Sequence, residues 1–346
     1  MKKNLSYLIA ASVIALMSPL MFCKKKHLCD VYIVGEEMNF DGINVATVWK
    51  NGEVHERLSD EKYMASAYSV FVYGEDIYVA GYEENEDEIK VATLWKNSNA
   101  IRLSNDSYDA CARSVFVSDS NVYVAGFEYN AEGISVAKLW INDEVYNLSN
   151  GELPAQANSV FVWGNDIHVA GTESNAKNME TAVLWINGTD HSLSSGREGS
   201  CATSVFADDD GIYVAGFEKD EYGAGVATVW INGNPLYLSE EGTDATADSI
   251  FVSGANTYVV GLEAYDDTSL PKAKLWTNNS AYTIGDIKLR TFLYSIFVFG
   301  NDVYTVGHEN NVATMWKNGK AKNLSPKKGI AYANSVFVAK TYDDDN

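Results

Sequence analysis

The chain has 346 residues, 47 of them acidic and 26 basic, for a formal net charge of −21. That balance repels phosphate backbones and anionic headgroups, which argues against nucleic acid as a partner and against a charge-driven membrane surface. A partner selected by overall charge would be cationic, and the excess acid also keeps an exposed surface soluble.

Residues 1–23, MKKNLSYLIAASVIALMSPLMFC, place two lysines before an apolar run from Tyr7 to Phe22. This is the layout of an export signal. With its cysteine at the end of LMFC, the run resembles bacterial lipoprotein signals. The resemblance implies cleavage before Cys23, lipidation of Cys23, a place in the cell envelope, and no other contact with a membrane. Phe22 stands where that family carries a small residue, and the run is at the lower edge of bilayer-spanning length. Secretion without a lipid and a retained anchor helix therefore stay open. Residues 24–29 form a short linker. Of the remaining cysteines, Cys29, Cys111 and Cys201 make an odd set without a CxxC pair, so neither a disulfide framework nor a zinc site is signalled. Cys111 and Cys201 occupy one repeat position in non-neighbouring copies and are expected to be free, buried and far apart.

From residue 30 to 339 the chain repeats one unit, marked by Trp49, Trp95, Trp140, Trp185, Trp230, Trp276 and Trp316. A period of about 45 residues is that of propeller blades. Each unit spells four short strands, as in SVFV, DIYVAG, VATLW and a segment ending in LS. Turns such as YGED or FGND join the first two strands. Asn51, Asn97, Asn142, Asn187, Asn232, Asn278 and Asn318 mark the turn after the third, and the glycine that often follows suits a two-residue hairpin. SVFV and YVAG do not alternate apolar with polar residues, so both faces of these strands must be covered. Stacked blades around an axis supply that cover. The first unit lacks its SVFV strand and the last is followed by a spare NSVFV at 334–338. The spare strand is expected to complete the first blade.

The chain thus resembles the seven-bladed β-propellers: all-β, with four-stranded antiparallel blades and the first blade closed by the C-terminal strand. An acidic tail follows at 340–346. The units lack the punctuation of WD40, kelch and Asp-box repeats. They look like repeats of uncharacterised bacterial exported and surface proteins, which implies a fold and a location but no reaction.

Residues demanded by every unit are expected to be packing residues: Ser69, Phe71, Ala46 and the tryptophans with their counterparts. The glutamates of the GxE triplet, Glu37, Glu83, Glu128, Glu173, Glu218, Glu263 and Glu309, are expected to be satisfied alike in every blade by amides and hydroxyls; a cation held by the ringed carboxylates is the alternative, although nothing in the spacing shows converging ligands. The ADDDGIY run at 207–213 is one unit's version of the first hairpin turn and lacks the later ligands of a calcium loop. No cofactor is implied.

Variation within a fixed frame points to binding. Just before the repeated serine stand Tyr68, Arg113, Asn158, Thr203, Asp248, Tyr294 and Asn334. If SVFV is innermost, as chain order in the resembling propellers implies, these seven encircle one mouth of the central channel, as ligand residues or as a wet lining. The loops after YVAG share that face and carry acids and tyrosines, among them Glu84, Asp220, Tyr222 and Tyr265. Such loops suit a cationic or sugar ligand. The five histidines occupy unrelated repeat positions, and no nucleophile elbow or phosphate loop occurs. The expected function is a monomeric, non-catalytic, exported propeller that binds a protein or glycan. The alternative is a glycosidase or lyase whose carboxylates sit at the mouth. An enzyme should gather unusual residues on one side of the ring; a lectin-like binder should repeat aromatics such as Tyr82, Phe127 and Phe217 in several blades.

Overall fold

A computed structural model describes residues 29–194, 199–265, 270–326 and 329–341. The export run, Cys23 and most of the acidic tail lie outside the described residues. Those described fold into twenty-eight strands, arranged as seven four-stranded antiparallel sheets. Blade 1 has the order β28-β1-β2-β3, made of β28 (Ala331–Lys340), β1 (Cys29–Met38), β2 (Asn44–Lys50) and β3 (Glu53–Arg57). β28 pairs with β1 from Cys29↔Lys340 to Glu37↔Ala331. The ring is therefore closed by the C-terminal strand, as the spare NSVFV predicts. Blades 2 to 7 follow in chain order. They begin on the inner strands β4 (Ala65–Tyr73), β8 (Ala110–Ser118), β12 (Ala155–Trp163), β16 (Ser200–Asp208), β20 (Asp244–Ser253) and β24 (Thr291–Phe299).

Burial falls from the inside of each blade outward. The second and third strands are mostly buried, whereas the fourth is almost wholly exposed, as in Glu53–Arg57 and Asn99–Arg102. Apolar clusters fill the gaps between blades. Trp95 of blade 2 packs with Ala46 and Val48 of blade 1, Trp140 with Ala80 and Ala92, and Trp230 with Ala170 and Ala182. Each large ring thus fills the space left by small residues of the preceding blade. The seven tryptophans are at most 3% exposed. Burying a ring of this size removes ~150–250 Å² from water, and truncating one to alanine costs about 3–5 kcal/mol.

Two further cycles explain why the same residues recur. Phe71, Phe116, Phe161, Phe206, Phe251, Phe297 and Phe337 form a closed belt, each ring 4.7–5.3 Å from both neighbours. The belt puts SVFV innermost. Next to it, each repeated serine accepts a hydrogen bond from a backbone N–H of the following blade, from Val115 to Ser69 at 3.1 Å and so on around to Val70 and Ser335 at 3.3 Å. A deleted hydroxyl would leave a part-buried N–H unmatched, at a cost of roughly 1–3 kcal/mol.

The turn asparagines act as latches. Asn97 adopts a left-handed φ of +47°, accepts the Ile77 N–H at 2.9 Å and donates to Asp76. The same acceptor contact recurs at Asn51, Asn142, Asn187, Asn232, Asn278 and Asn318.

Candidate functional site

The inner strands do not pair evenly with their neighbours. In β4 the register skips from Ala67 to Ser69, leaving Tyr68 as a β-bulge. The same skip isolates Arg113, Asn158, Thr203, Asp248, Tyr294 and Asn334. A bulge turns one side chain out of the ladder. All seven sequence-selected positions are thus one structural device, repeated seven times. Its counterpart is the glycine of YVAG. A Cβ on Gly81 would sit 2.0 Å from the Ser66 carbonyl oxygen, and the equivalent distances at Gly35, Gly126, Gly171, Gly216, Gly261 and Gly307 are 1.8–2.1 Å. Only glycine admits the bulged backbone so closely.

Six of the seven bulge residues line one cavity of about 710 Å³. Asp248 does not; its carboxyl lies against Thr246 in the wall nearby. Residues of strands 2 and 3 complete the lining, including Glu36, Tyr82, Lys90 and Phe127, and Tyr332 joins from β28. Loops after YVAG and the bulges therefore share one face. Cys111 and Cys201 are free thiols, the first buried and the second partly so, and both line this cavity. Two blades of separation on an inner strand remain within one mouth.

The bulge side chains divide into two kinds. Asn158 donates to Ala202 O at 2.8 Å, Thr203 to Ala247 O at 2.6 Å and Asn334 to Ala67 O at 3.0 Å, each bridging to the next blade. These three are partly scaffold. Tyr68, Arg113 and Tyr294 carry larger groups into the cavity. Tyr68 and Tyr82 form a tilted ring pair at 6.1 Å, and Arg113 lies 5.1 Å from the Phe127 ring centroid while donating to Asn158 Oδ1 at 3.1 Å. Glu36 accepts from the Ser66 hydroxyl at 2.6 Å and from Asn334 Nδ2 at 2.8 Å. The Tyr294 hydroxyl is 3.3 Å from His308 Nδ1, and His308 stacks on Phe292 at 4.8 Å and meets Tyr332 edge-on at 4.7 Å.

Burial dominates the titration of the site. It pushes Tyr68 up to about 12 and raises Tyr82 and Tyr294, so these hydroxyls stay protonated. The Cys111 and Cys201 thiols rise to about 11 and about 12, which removes thiolate chemistry at neutral pH. Asp248 is raised to about 7 and His308 lowered to about 4, both chiefly by desolvation. Glu36 is also raised by burial, against the pull of its two hydrogen bonds.

Glu36, His308, Tyr332 and Lys90 were not selected by sequence. Glu36 and His308 occupy the variable middle place of the GxE triplet, where Tyr82, Phe127 and Phe217 also stand. That place faces the mouth, so its variability was the available signal. Among the GxE glutamates, Glu37, Glu128, Glu218, Glu263 and Glu309 find partners inside or at the entry of their own blades, and not alike. Glu37 pairs with Arg57 at 3.2 Å and Glu128 with Lys138 at 3.1 Å, Glu218 accepts from the Tyr237 hydroxyl, and Glu309 accepts from the Asp286 N–H. Among the described residues no group of three or more histidines, cysteines or acids is placed to hold a metal ion.

No protein-family model and no curated protein matches the chain. Solved structures resemble it in fold. A puromycin-hydrolyzing peptidase from Mycobacterium tuberculosis is 12% identical over 85% of this chain, with a TM-score of 0.55, and 51% of that protein is covered. The β-propeller domain of the Trilobed protease from Pyrococcus furiosus, described as an open velcro topology, is 13% identical over 86% of this chain and 95% of its own, with a TM-score of 0.53. Pyrococcus horikoshii acylaminoacyl peptidase is 13% identical over 86% of this chain and 50% of its own, with a TM-score of 0.50. The chain spans about half the length of the two full peptidases. At these identities the likeness concerns the propeller alone.

Proposed function

We propose that the chain is a non-catalytic binding propeller whose central mouth takes one polar, ring-bearing ligand, a glycan or a ring-bearing segment of a protein partner. The observation that carries this reading is the convergence of six bulge side chains on one cavity of about 710 Å³. Its volume is in the range of small-ligand pockets, and tyrosine faces beside a few fixed polar groups are what such ligands require. Blades 7, 1, 2 and 3 contribute Tyr294, Glu36, Tyr68 and Arg113, while blades 4 and 5 contribute the bridging Asn158 and Thr203. One lopsided site suits one ligand per ring rather than a repeated lectin array.

That asymmetry also favours a second reading, a carbohydrate-active enzyme with Glu36 in the lining and Asp248 behind it, their carboxyls both raised by burial. Screening the full chain against glycan and surface-protein libraries tests both. The variant with Tyr68, Arg113, Asp248 and Tyr294 all changed to alanine is expected to lose the hits; binding that survives in it would remove the mouth from the reading. Turnover of a bound saccharide that Asp248→Asn abolishes would replace binding by catalysis.

A further inference from the structure

Arg113 and Lys90 are the two cations that line the mouth cavity. Lys50, Lys96, Lys138, Lys274 and Lys317 each reach a carboxylate at 2.6–3.1 Å. Among the described residues Arg113 and Lys90 form no ion pair, although acids outnumber bases 47 to 26. Both line the mouth cavity and both are only partly exposed. Each is held over an aromatic face instead: Arg113 over Phe127 at 5.1 Å and the Lys90 ammonium over Tyr82 at 4.9 Å. A ring face fixes a cation without neutralising it.

The guanidinium still has donors to give. Arginine carries five N–H groups in a planar fork, and the one protein acceptor here is Asn158 Oδ1. The two cations share a wall, since both act on the thiol of Cys111, which stands two residues before Arg113 on β8. The nearby carboxyls do not cancel them. Glu36, the one carboxylate in the lining, is held by Ser66 and Asn334 rather than by either cation, Asp248 is outside the lining, and Glu84 and Asp109 lie beside Lys90 without forming an ion pair with it. Two cations against one carboxyl group in the lining give the mouth a positive side inside a strongly negative molecule, opposite to the cationic ligand that overall charge suggests.

We propose that Arg113 and Lys90 form an anion subsite, so that the ligand is an acidic saccharide whose carboxylate or sulfate docks on the guanidinium fork while its ring lies on the exposed Tyr68. This rests on the binding reading of the mouth. Planar bidentate recognition is what distinguishes arginine from lysine at carboxylates and sulfates.

The test is calorimetric titration of the full chain with four probes: an oligogalacturonate, its methyl ester, a sulfated galactose oligomer and a neutral galactose oligomer. An acidic probe is expected to bind at least about tenfold more tightly than the neutral ones. The oligogalacturonate and sulfated arms separate the two sources of charge. Arg113→Gln is expected to remove that preference, Arg113→Lys to restore only part of it, and Lys90→Gln to weaken it, with unchanged thermal unfolding as the folding control. Equal binding of charged and neutral probes, lost in Tyr68→Ala but not in Arg113→Gln, would overturn the anion subsite and leave the mouth reading intact. Failure of all four probes, together with no Arg113-dependent binding of inorganic sulfate, would overturn the anion subsite, while the mouth reading stands or falls with the library screen and the quadruple variant. Sulfate binding without any saccharide binding would overturn the saccharide ligand.

Discussion

Asp248 and His308 approach Tyr294 from different blades and titrate in opposite senses. Burial raises Asp248 from an ordinary 3.8 to about 7, so the folded chain keeps a proton that the unfolded chain releases. Its contribution to stability is complete below about pH 4 and is lost as the pH rises through about 7. His308 is lowered from 6.5 to about 4, so its contribution is complete above about pH 6.5 and is lost as the pH falls through about 4. Between those limits the two slopes oppose each other. Urea unfolding from pH 4.5 to 7 should show Asp248→Asn gaining stability over wild type as the pH rises, by roughly 1–3 kcal/mol across the window. His308→Gln should gain over wild type as the pH falls. Differences that stay flat with pH would mean that neither group is desolvated as described. The same residues show how far reading single positions reaches. Asp248 and Tyr294 stand out in the sequence because they vary at a fixed place, whereas His308 does not, because the histidines share no common place in the repeat. What brings His308 to the site is the register Phe292↔His308 across one hairpin, a pairing that spacing along the chain does not reveal.

The bulged inner hairpin is the element that turns a packing repeat into a presenting one. Its strands, its tryptophan clusters and its turn asparagines were legible, because each obeys a local rule repeated seven times. The bulge was not legible as such: the extra residue is defined by which partner it lacks, and only pairing with the second strand exposes that. The glycine of YVAG was visible as a repeat, yet its reason is the carbonyl oxygen pressed against it. Gly81→Ala should therefore destabilise the chain by about 1–3 kcal/mol through overpacking against Ser66 and Trp95. It should also weaken ligand binding by displacing Tyr68 on the opposing strand. Thermal unfolding alongside the saccharide titrations measures both, and a Gly81→Ala chain with wild-type stability would show the approach to be slack.

At the scale of the whole molecule, seven similar blades depend on one dissimilar joint. Blades 2 to 7 are each made from a continuous stretch, while blade 1 borrows β28 from the far end. Without that strand β1 has a bare inner edge, the serine and phenylalanine cycles lose Ser335 and Phe337, and Trp49 loses Ala331 and Ala333. A chain ended after Gly329 should unfold less cooperatively and at lower temperature than the intact one, and a peptide of residues 331–340 should recover part of the loss. Calorimetry of the two forms, with and without the peptide, decides the matter; an unchanged transition would make β28 an accessory. The sum of charge also misleads at this scale. A net charge of −21 describes the field far from the surface, whereas Arg113 and Lys90 set it inside the mouth.

Closure by a borrowed strand has one more consequence, for copy number. The nine pairs from Cys29↔Lys340 to Glu37↔Ala331 specify which sequences meet, but not that they come from the same molecule. A neighbour's β28 would satisfy β1 equally well. The chain's own strand has only the advantage of being tethered nearby, at an effective concentration on the order of millimolar. Where chains are crowded to that level, the same hydrogen bonds would join rings by mutual strand exchange, and self-containment becomes a question of dilution.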